Sequence, residues 1–247
     1  MIGRFLEELR SIAPAAEIIV IDGGSTDATV SIAGPLCDIL MTAPRGRALQ
    51  MNAGAARARG EFLWFLHADL EAPENSVRSM ERALSDPHVV GGCFRLRFRE
   101  PALIYRVSDF LGNIGVEVFG FALGDHGIFC RRDVFQAIGG YRDVPILEDA
   151  EMYRALRRLG RTVQLRDHIV ADPRGYKMRG PYRTTAVYFL ILALYVFGVP
   201  IRRLHGIYRR FTGSASRVTS SEIKPPLQAR GGRGRISRSL LRRERAR

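Results

Sequence analysis

The segment EFLWFLHAD (61–69) constrains the fold more than any other part of the sequence, because its large apolar residues run directly into a carboxylate. Such a run is the strongest strand signal in the sequence. The run EIIVID (17–22) ends in the same way at Asp22, and DILMTA (38–43) is a further strand candidate. Helical segments alternate with these strands, which predicts an α/β fold with a wound, mostly parallel sheet flanked by helices.

Helix and strand signals continue along the chain. The segment 46–60 is rich in Ala and Arg and ends in a glycine, and 73–86 begins with a proline, so both are predicted helices. The segment 89–98 alternates apolar and basic residues after its glycines, which is typical of a half-exposed strand. A well-formed helix is predicted for 148–160, with two acids in its first turn, where the helix dipole favours them.

Carboxylates gather at one edge of the predicted sheet. Ligands of wound α/β sheets bind beyond the carboxyl ends of the strands, and both Asp22 and Asp69 follow such ends. A carboxylate in this position must be solvated or bound, which makes Asp69 a candidate for a metal-assisted site. Glu148 and Asp149 at a helix start are candidates for a general base.

Four segments, in this order, resemble a known family: IIVIDGGSTDAT, GEFLWFLHAD, GDHGIFCRRDVFQAIGGY and ILEDAEM. Together they look like a family 2 glycosyltransferase with the GT-A fold, and the GRALQMNAGA and FLHAD segments are similar to a bacterial subgroup. The resemblance implies a Rossmann-like sheet and an inverting sugar transfer. The implied donor is a nucleotide diphosphate sugar, commonly a UDP-sugar, and the implied cofactor is a divalent metal, Mn²⁺ or Mg²⁺.

The resemblance also assigns roles to single residues. Asp69 matches the last acid of the DxD element, which holds the metal on the diphosphate. Asp149 matches the acid of the ED motif, the general base for the acceptor hydroxyl. Asp22 and Arg47 match nucleotide contacts of the donor site. The acceptor side of the cleft is predicted to contain the three remaining candidates, Asp125, Glu148 and Arg174.

The sequence departs from the family pattern in four places. His67 stands where the DxD element has its first acid, and Gly23 replaces the second acid of the base-binding pair. Arg174 and Arg179 stand in for an aromatic-flanked basic residue. The family begins with a strand that lines the nucleotide pocket, whereas this sequence opens on an amphipathic helix. Because that strand would lie centrally in the sheet, we expect about twenty further residues ahead of Met1.

Charge and hydropathy divide the chain into three parts. Residues 1–180 are predicted to form the GT-A domain without its first strand, 181–213 a pair of apolar and basic helices, and 214–247 a disordered basic tail. The formal net charge is +13, with basic residues crowded after position 202. The run AVYFLILALYVF (186–197) is shorter than a membrane span. Its flanking arginines leave two alternatives open, burial in protein or contact with a membrane surface.

The cysteines and the N-terminal segment bear on the cellular location of the protein, and the motifs bear on its partners. Three separated cysteines and an acidic amphipathic start favour the cytoplasm, with peripheral contact to the inner face of the cell membrane as an open alternative. The expected partners are a nucleotide-sugar donor, an acceptor and an anionic membrane surface. Contact with that surface would indicate that the acceptor is lipid-linked. Nucleic acid is not expected, because no nucleic-acid module is visible. Other functions left open are an inactive transferase relative, a sugar nucleotidyltransferase, and a basic membrane- or nucleic-acid-binding protein.

Overall fold

Two separate sheets run through the computed structural model, which describes residues 1–212. The first sheet pairs β1 (Ile19–Asp22) with β2 (Ile39–Thr42). The second has the strand order β3-β6-β5-β7-β4. Its strands are β3 (Phe62–Trp64), β4 (Leu70–Glu71), β5 (Val89–Phe98), β6 (Phe129–Arg131) and β7 (Arg161–Ala171). The tail predicted over 214–247 lies outside the described residues.

Helices cover both sheets, so the α/β class predicted from the sequence is confirmed. The α-helices of residues 1–212 are α1 (Ile2–Ile12), α2 (Thr29–Ala33), α3 (Arg47–Arg57), α4 (Ser76–Leu84), α5 (Leu103–Ile114), α6 (Arg132–Ala137), α7 (Glu148–Leu159), α8 (Arg174–Arg179), α9 (Pro181–Val196) and α10 (Ile201–Thr212). A π-helical turn, Gly115–Phe119, follows α5, and a 3₁₀ turn, Gly124–His126, precedes β6. The three-part division of the chain at 180 and 213 stays a prediction.

The strand directions are mixed. The pairs β1–β2 and β5–β7 are parallel, whereas β6 runs against both of its neighbours, β3 and β5, and β4 runs against β7. Because β6 is reversed, its beginning at Phe129 lies beside Trp64, the end of β3. The turn Gly124–His126 therefore stands at the carboxyl edge of the sheet, where a wound α/β fold binds its ligands.

One strand, β5, differs in burial from its prediction, and another, β7, was not predicted. We expected β5 to be half-exposed, but nearly all of it is buried, because α4 and α5 cover one face and α7 covers the other. Only Arg95 and Arg97, near its end, keep appreciable exposure. The longest strand, β7, was not predicted, because the sequence RTVQLRDHIVA mixes charged and apolar residues without a regular alternation.

The core lies on the two faces of the second sheet. One layer packs α3, α6 and α7 against the sheet and contains Leu63, Ile128, Met152 and other fully buried residues. The other packs α4 and α5 around a group of aromatic rings, which includes Phe94, Phe98 and Phe129. Each such side chain contributes about 1.5–3 kcal/mol on burial, so both layers hold the carboxyl edge rigidly in place.

The apolar run at 186–197 forms most of α9. Its inner face is buried, where Ile191 and Tyr195 pack against Phe121 and Leu204. Its outer face stays exposed at Leu190 and Phe197. Among the described residues, no helix combines the length and the apolar character that crossing a bilayer requires.

Candidate active site

The start of α7 positions two carboxyl groups at the carboxyl edge of the sheet. Leu147 precedes it with φ at +63°, and no other non-glycine residue among residues 1–212 has a positive φ. Strain of this kind costs about 1–3 kcal/mol and occurs preferentially at functional sites. Glu148 and Asp149, which follow directly, are both buried although carboxyl groups are usually exposed. The strained turn therefore faces both acids into the protein rather than toward solvent.

Asp149 is buried without full hydrogen-bond compensation. Its side chain is 3% exposed, and its Oδ1 atom has no hydrogen-bond partner. Burial, followed by repulsion from Glu148, raises the pKa of Asp149 to about 6, while the nearby His67 and Arg47 act in the opposite direction. A carboxylate whose pKa is near neutrality and which has a free lone pair is suited to accept a proton.

His67 and Asp149 meet over Gly124. A Cβ atom built at Gly124 would overlap Nε2 of His67 and lie 2.8 Å from Oδ2 of Asp149. Only a residue without a side chain fits at this point. The Nε2 atom of His67 is buried and has no hydrogen-bond partner. The histidine that replaces the first acid of the family motif thus lies beside the candidate base.

Arg47 links the start of α3 to this acidic cluster. Its guanidinium lies 3.3 Å from Oε1 of Glu148 and remains 65% exposed. Burial lowers the pKa of Arg47, but the carboxylates of Glu148, Asp149 and Asp125 together raise it above its usual value. The side chain thus combines acidic neighbours with an open face that can receive an anionic ligand.

The turn Gly124–His126 contributes two polar side chains with different roles. Asp125 is half-buried and close enough to Arg47 to raise the pKa of that guanidinium. His126 is 1% exposed, and burial lowers its pKa to about 4, so it is neutral at pH 7. Its Nδ1 atom accepts a hydrogen bond from the Leu123 backbone N–H at 3.4 Å. His126 is therefore a structural residue of the turn.

Asp22 shapes the loop after β1. Its carboxylate accepts hydrogen bonds from the backbone N–H groups of Gly24, at 2.8 Å, and Ser25, at 2.9 Å. The Ser25 hydroxyl also donates to it and is the main cause that lowers the pKa of Asp22. Arg45 donates to the carbonyl oxygens of Gly23 and Gly24, both at 3.1 Å. These bonds fix the loop, and the predicted nucleotide contact of Asp22 stays a prediction.

Asp69 and Arg174 lie outside the buried cluster. Asp69 is exposed in the turn between β3 and β4, two residues after His67. Arg174 is exposed at the start of α8, where it pairs with Asp172 at 2.8 Å and contacts the sulfur of Met1. The contacts of Arg174 thus bring it to the N-terminus of the chain, and the structure does not join it to the carboxylates of α7.

A divalent metal could be held here only together with a ligand. Within residues 1–212 no group of three or more His, Cys, Asp or Glu side chains is arranged to bind a metal. Mg²⁺ and similar ions at phosphate sites are commonly bound through one or two carboxylates plus the phosphates of the substrate. The exposed carboxylate of Asp69 fits that mode of binding.

Three tyrosines that the sequence analysis did not single out line the neighbouring surface. Tyr188 of α9 stacks on Tyr208 of α10, with ring centroids 6.2 Å apart, and packs against Tyr176 of α8 at 5.5 Å. Burial, then Tyr208, raises the pKa of Tyr188 to about 12, and Asp125 also contributes. These rings therefore adjoin the turn of Asp125. They come from three helices, so no sequence spacing indicated them.

The loop that leads to α7 is clamped by α3. The side-chain amide of Asn52 donates to the Tyr141 carbonyl and accepts from the Tyr141 N–H, both at 2.8 Å. The Tyr141 hydroxyl is buried near Asp149, and burial and that carboxylate raise its pKa well above its usual value. Asn52 thus holds the approach to the candidate base in place.

Comparisons with known proteins bear on the family and the fold. The model of a family described as Glycosyl transferase family 2 matches residues 1–139. No curated protein matches the sequence at a significant level. A mannosyltransferase from Pyrobaculum calidifontis, solved with GDP-Man and Mn²⁺, is 19% identical with a TM-score of 0.60, and the alignment covers 85% of this chain and 66% of that one. This chain therefore spans just under two thirds of that enzyme.

Two further structures share the fold. Glucosyl-3-phosphoglycerate synthase from Mycobacterium tuberculosis, in complex with Mn²⁺ and UDP-glucose, has a TM-score of 0.56 and 17% identity, over 81% of this chain and 76% of that one. S. aureus TarS 1-349 has a TM-score of 0.52 and 14% identity, and the alignment covers 90% of this chain and 73% of that one. At these identities the likeness concerns the fold, and the wound α/β sheet predicted from the sequence is confirmed.

Proposed function

The chain belongs to glycosyl transferase family 2 and has the GT-A fold, and from this premise we propose that it transfers a sugar from a nucleotide diphosphate sugar to an acceptor hydroxyl with inversion. The observation that carries the proposal is Asp149, a buried carboxylate with a raised pKa and an unpartnered oxygen at the carboxyl edge of the sheet. The proposed donor is a UDP-sugar, and the proposed cofactor is Mn²⁺ or Mg²⁺.

Asp149 acts in this proposal as the general base. The acceptor hydroxyl gives its proton to Oδ1 of Asp149 as the acceptor oxygen forms a bond to the anomeric carbon. The bond from that carbon to the diphosphate oxygen breaks, and the electron pair leaves with the nucleoside diphosphate. A single displacement of this kind inverts the anomeric centre. Burial, and then repulsion from the neighbouring Glu148, raise the pKa of Asp149 to about 6, which makes it a stronger base than an exposed carboxylate.

The donor side is formed by Arg47, Asp69 and the loop that Asp22 fixes. Arg47 is open on one face and lies next to Asp149, so it can contact the diphosphate as negative charge leaves. Asp69, with His67 two residues before it, would hold the divalent metal, which neutralises the leaving diphosphate when bound.

The acceptor side is formed by Asp125 and the tyrosine cluster of Tyr176, Tyr188 and Tyr208. Aromatic rings offer flat apolar faces, and Asp125 adds a hydrogen-bond acceptor beside them. Glu148, also proposed on the acceptor side, pairs with Arg47 of the donor side. Arg174, whose contacts are with Asp172 and Met1, is proposed at the outer rim.

A membrane surface is the second part of the proposal, and α5 supports it. This helix exposes the apolar side chains Leu103 and Phe110, which are 79% and 62% exposed, and buries the polar Ser108 and Asp109. Such an inverted arrangement leaves an apolar stripe facing solvent, which marks an interaction site. Ser108 bonds with Thr185 of α9 at 3.1 Å, so α5 and α9 form one unit.

Charge favours an anionic lipid surface as the partner of this stripe. Residues 181–212, which form α9 and α10, contain five arginines and no Asp or Glu. Four of them, Arg202, Arg203, Arg209 and Arg210, are exposed on α10. Apolar side chains with an adjoining basic face are typical of interfacial helices. We therefore propose peripheral attachment of residues 181–213 to the inner face of the cell membrane, and a lipid-linked acceptor.

The donor proposal is tested by calorimetry of UDP binding with and without Mn²⁺. We expect metal-dependent binding that Asp69→Ala weakens at least about tenfold, whereas Asp143→Ala, an exposed acid of the loop before α7, leaves it unchanged. Equal affinity in the presence and absence of metal, or in Asp69→Ala, would refute the assignment. A folded protein that binds no nucleoside diphosphate would favour the inactive relative instead.

The membrane proposal is tested by sedimentation of the full chain with vesicles. We expect binding to phosphatidylglycerol-containing vesicles and little to pure phosphatidylcholine. The double substitution Leu103→Ser and Phe110→Ser should reduce it, whereas Leu159→Ser, a similarly exposed apolar residue on α7, should not. Undiminished binding of the double variant would show that α5 does not contact the lipid.

A further inference from the structure

Two polar atoms of the candidate active site are buried without a hydrogen bond to any residue of 1–212. They are the hydroxyl oxygen of Tyr141 and Oδ1 of Asp149. Both residues are 3% exposed, so neither atom is solvated from the surface. Buried polar groups are nearly always paired, and the hydroxyl of a buried tyrosine usually has a partner. Two unsatisfied groups in one site therefore call for an explanation from function.

Packing accounts for the ring of Tyr141 but not for its hydroxyl. The ring packs edge-on against Phe65, at a centroid distance of 5.1 Å, and against Phe135 at 5.9 Å. A phenylalanine would make the same ring contacts. The hydroxyl adds a buried polar atom without a partner, which lowers stability. A hydrogen-bond donor is what this hydroxyl offers and a phenyl ring does not.

The hydroxyl of Tyr141 is matched to the carboxylate of Asp149 as a donor is to an acceptor. Burial first, and then the charge of Asp149, raise the pKa of Tyr141 well above its usual value, so the phenol keeps its proton throughout the neutral range. The ionised carboxylate of Asp149 can only accept hydrogen bonds. The terminal torsion of an aspartate side chain has a broad range, so a small rotation of the carboxyl group would bring Oδ1 to the hydroxyl.

The position of Tyr141 is fixed independently of this contact. The side-chain amide of Asn52 bonds to both backbone groups of Tyr141, at 2.8 Å each. Gly140 precedes it with φ at +75°, and a Cβ atom there would lie 2.6 Å from Oδ1 of Asn52. Glycine therefore lets Asn52 approach this closely. Because both the backbone and the ring are held, the hydroxyl stays at one point.

The other groups around Asp149 do not fix the orientation of its carboxyl group. Glu148 and Asp125 are acids, which repel it and raise its pKa. Arg47 lowers that pKa, but it is 65% exposed and pairs with Glu148. His67 also lowers it and lies near Oδ2, the other oxygen. Among the described residues, Oδ1 is thus left for a further donor.

We propose that Tyr141 is a positioning residue for Asp149: its hydroxyl donates a hydrogen bond to Oδ1 and holds the carboxyl group in the orientation that receives the acceptor proton. A carboxylate oxygen has two lone pairs, so Oδ1 accepts this bond and still takes up the proton. Tyr141 itself neither gains nor loses a proton. The bond favours the ionised form and therefore lowers the pKa of Asp149. The proposal rests on the proposed role of Asp149 as the base.

The test is Tyr141→Phe, which keeps the ring and removes the donor. The matched control is Tyr153→Phe, because Tyr153 belongs to the same core layer, is 1% exposed, and contacts the sulfur of Cys93 through its hydroxyl at 3.9 Å. The first readout is the turnover–pH profile, with the donor KM, from release of UDP by a panel of UDP-sugars. The second is the stability–pH profile, the free energy of unfolding in urea as a function of pH, which needs no substrate.

We expect Tyr141→Phe to move the acidic limb of the turnover–pH profile upward by about half a pH unit or more. Turnover at pH 7 should fall about 3- to 10-fold, with the donor KM unchanged. Burial already raises the pKa of Asp149 to about 6, so the fall of stability with rising pH should extend by the same interval above pH 6. Neither shift is expected in Tyr153→Phe, or when Tyr141→Phe is combined with Asp149→Asn.

An unmoved stability–pH profile in folded Tyr141→Phe would overturn the proposal, because the hydroxyl would then have no bond to the carboxylate. An equal loss of turnover at every pH, with an unmoved limb, would overturn it too and leave Tyr141 a packing role. The second readout separates this inference from the function on which it rests. A shifted stability–pH profile together with native turnover of Asp149→Asn would support the hydrogen bond and refute the proposed base.

Discussion

Replacement of Asp149 by Asn is expected to stabilise the fold at neutral pH while it removes the proposed base. The carboxyl group is 3% exposed and one of its oxygens has no hydrogen-bond partner, so its ionised form lacks compensation. Asn has nearly the same shape and no charge. The substitution therefore removes an unfavourable buried charge that is retained, on this account, for function.

The size of the expected stabilisation follows from the pKa of Asp149, which burial and Glu148 raise from 3.8 to about 6. Between these values the unfolded chain has lost the proton and the folded chain still binds it. The free energy of unfolding therefore falls as pH rises from about 4 to about 6, and stays lower above pH 6. A difference of about two units corresponds to about 3 kcal/mol, the upper limit of what Asn can recover.

Urea denaturation at pH 8 and at pH 4 measures this effect. We expect Asp149→Asn to be more stable than the native chain at pH 8, by about 1–3 kcal/mol, and the difference to shrink toward zero at pH 4. Asp143→Asn, at an exposed position in the preceding loop, should show no such pH-dependent gain. Equal destabilisation by Asp149→Asn at both pH values would refute the claim that the buried carboxylate is strained.

Three further results are expected. Arg47→Gln should move the acidic limb of the turnover–pH profile above about pH 6, because Arg47 lowers the pKa of Asp149; an unchanged limb would contradict this coupling. Gly124→Ala should reduce turnover about 10- to 100-fold, because the new Cβ overlaps the site, whereas Gly175→Ala, with open space around it, should not. Asn52→Ala should lower the free energy of unfolding by about 1–3 kcal/mol in urea titrations, and a loss below about 0.5 kcal/mol would show that its two backbone bonds are replaced by water.

The sequence predicted the elements that have a regular pattern. β1, β2 and α3 lie within their predicted segments, and α7 begins at the predicted Glu148. Periodicity and helix-start acids are local signals, so they could be recognised without tertiary information.

The geometry of the site could not be predicted from the sequence, because it depends on contacts between segments that are distant along the chain. The left-handed Leu147 has no local sequence signal, because leucine disfavours that conformation. The juxtaposition of His67 with Asp149 requires β6 to run against β3, a direction that the apolar run around Phe129 does not reveal. Arg174 was predicted from a family pattern, but its contacts with Asp172 and Met1 are set by the position of α1.

The most direct test of the central claim is turnover by Asp149→Asn, measured as release of nucleoside diphosphate from a panel of UDP-sugars, with Asp143→Asn as the control. The account predicts that Asp149→Asn still binds UDP with Mn²⁺ but loses about 10²–10⁴-fold in turnover, while the control keeps both. Turnover within a few-fold of the native rate in Asp149→Asn would contradict the assignment of Asp149 as the base.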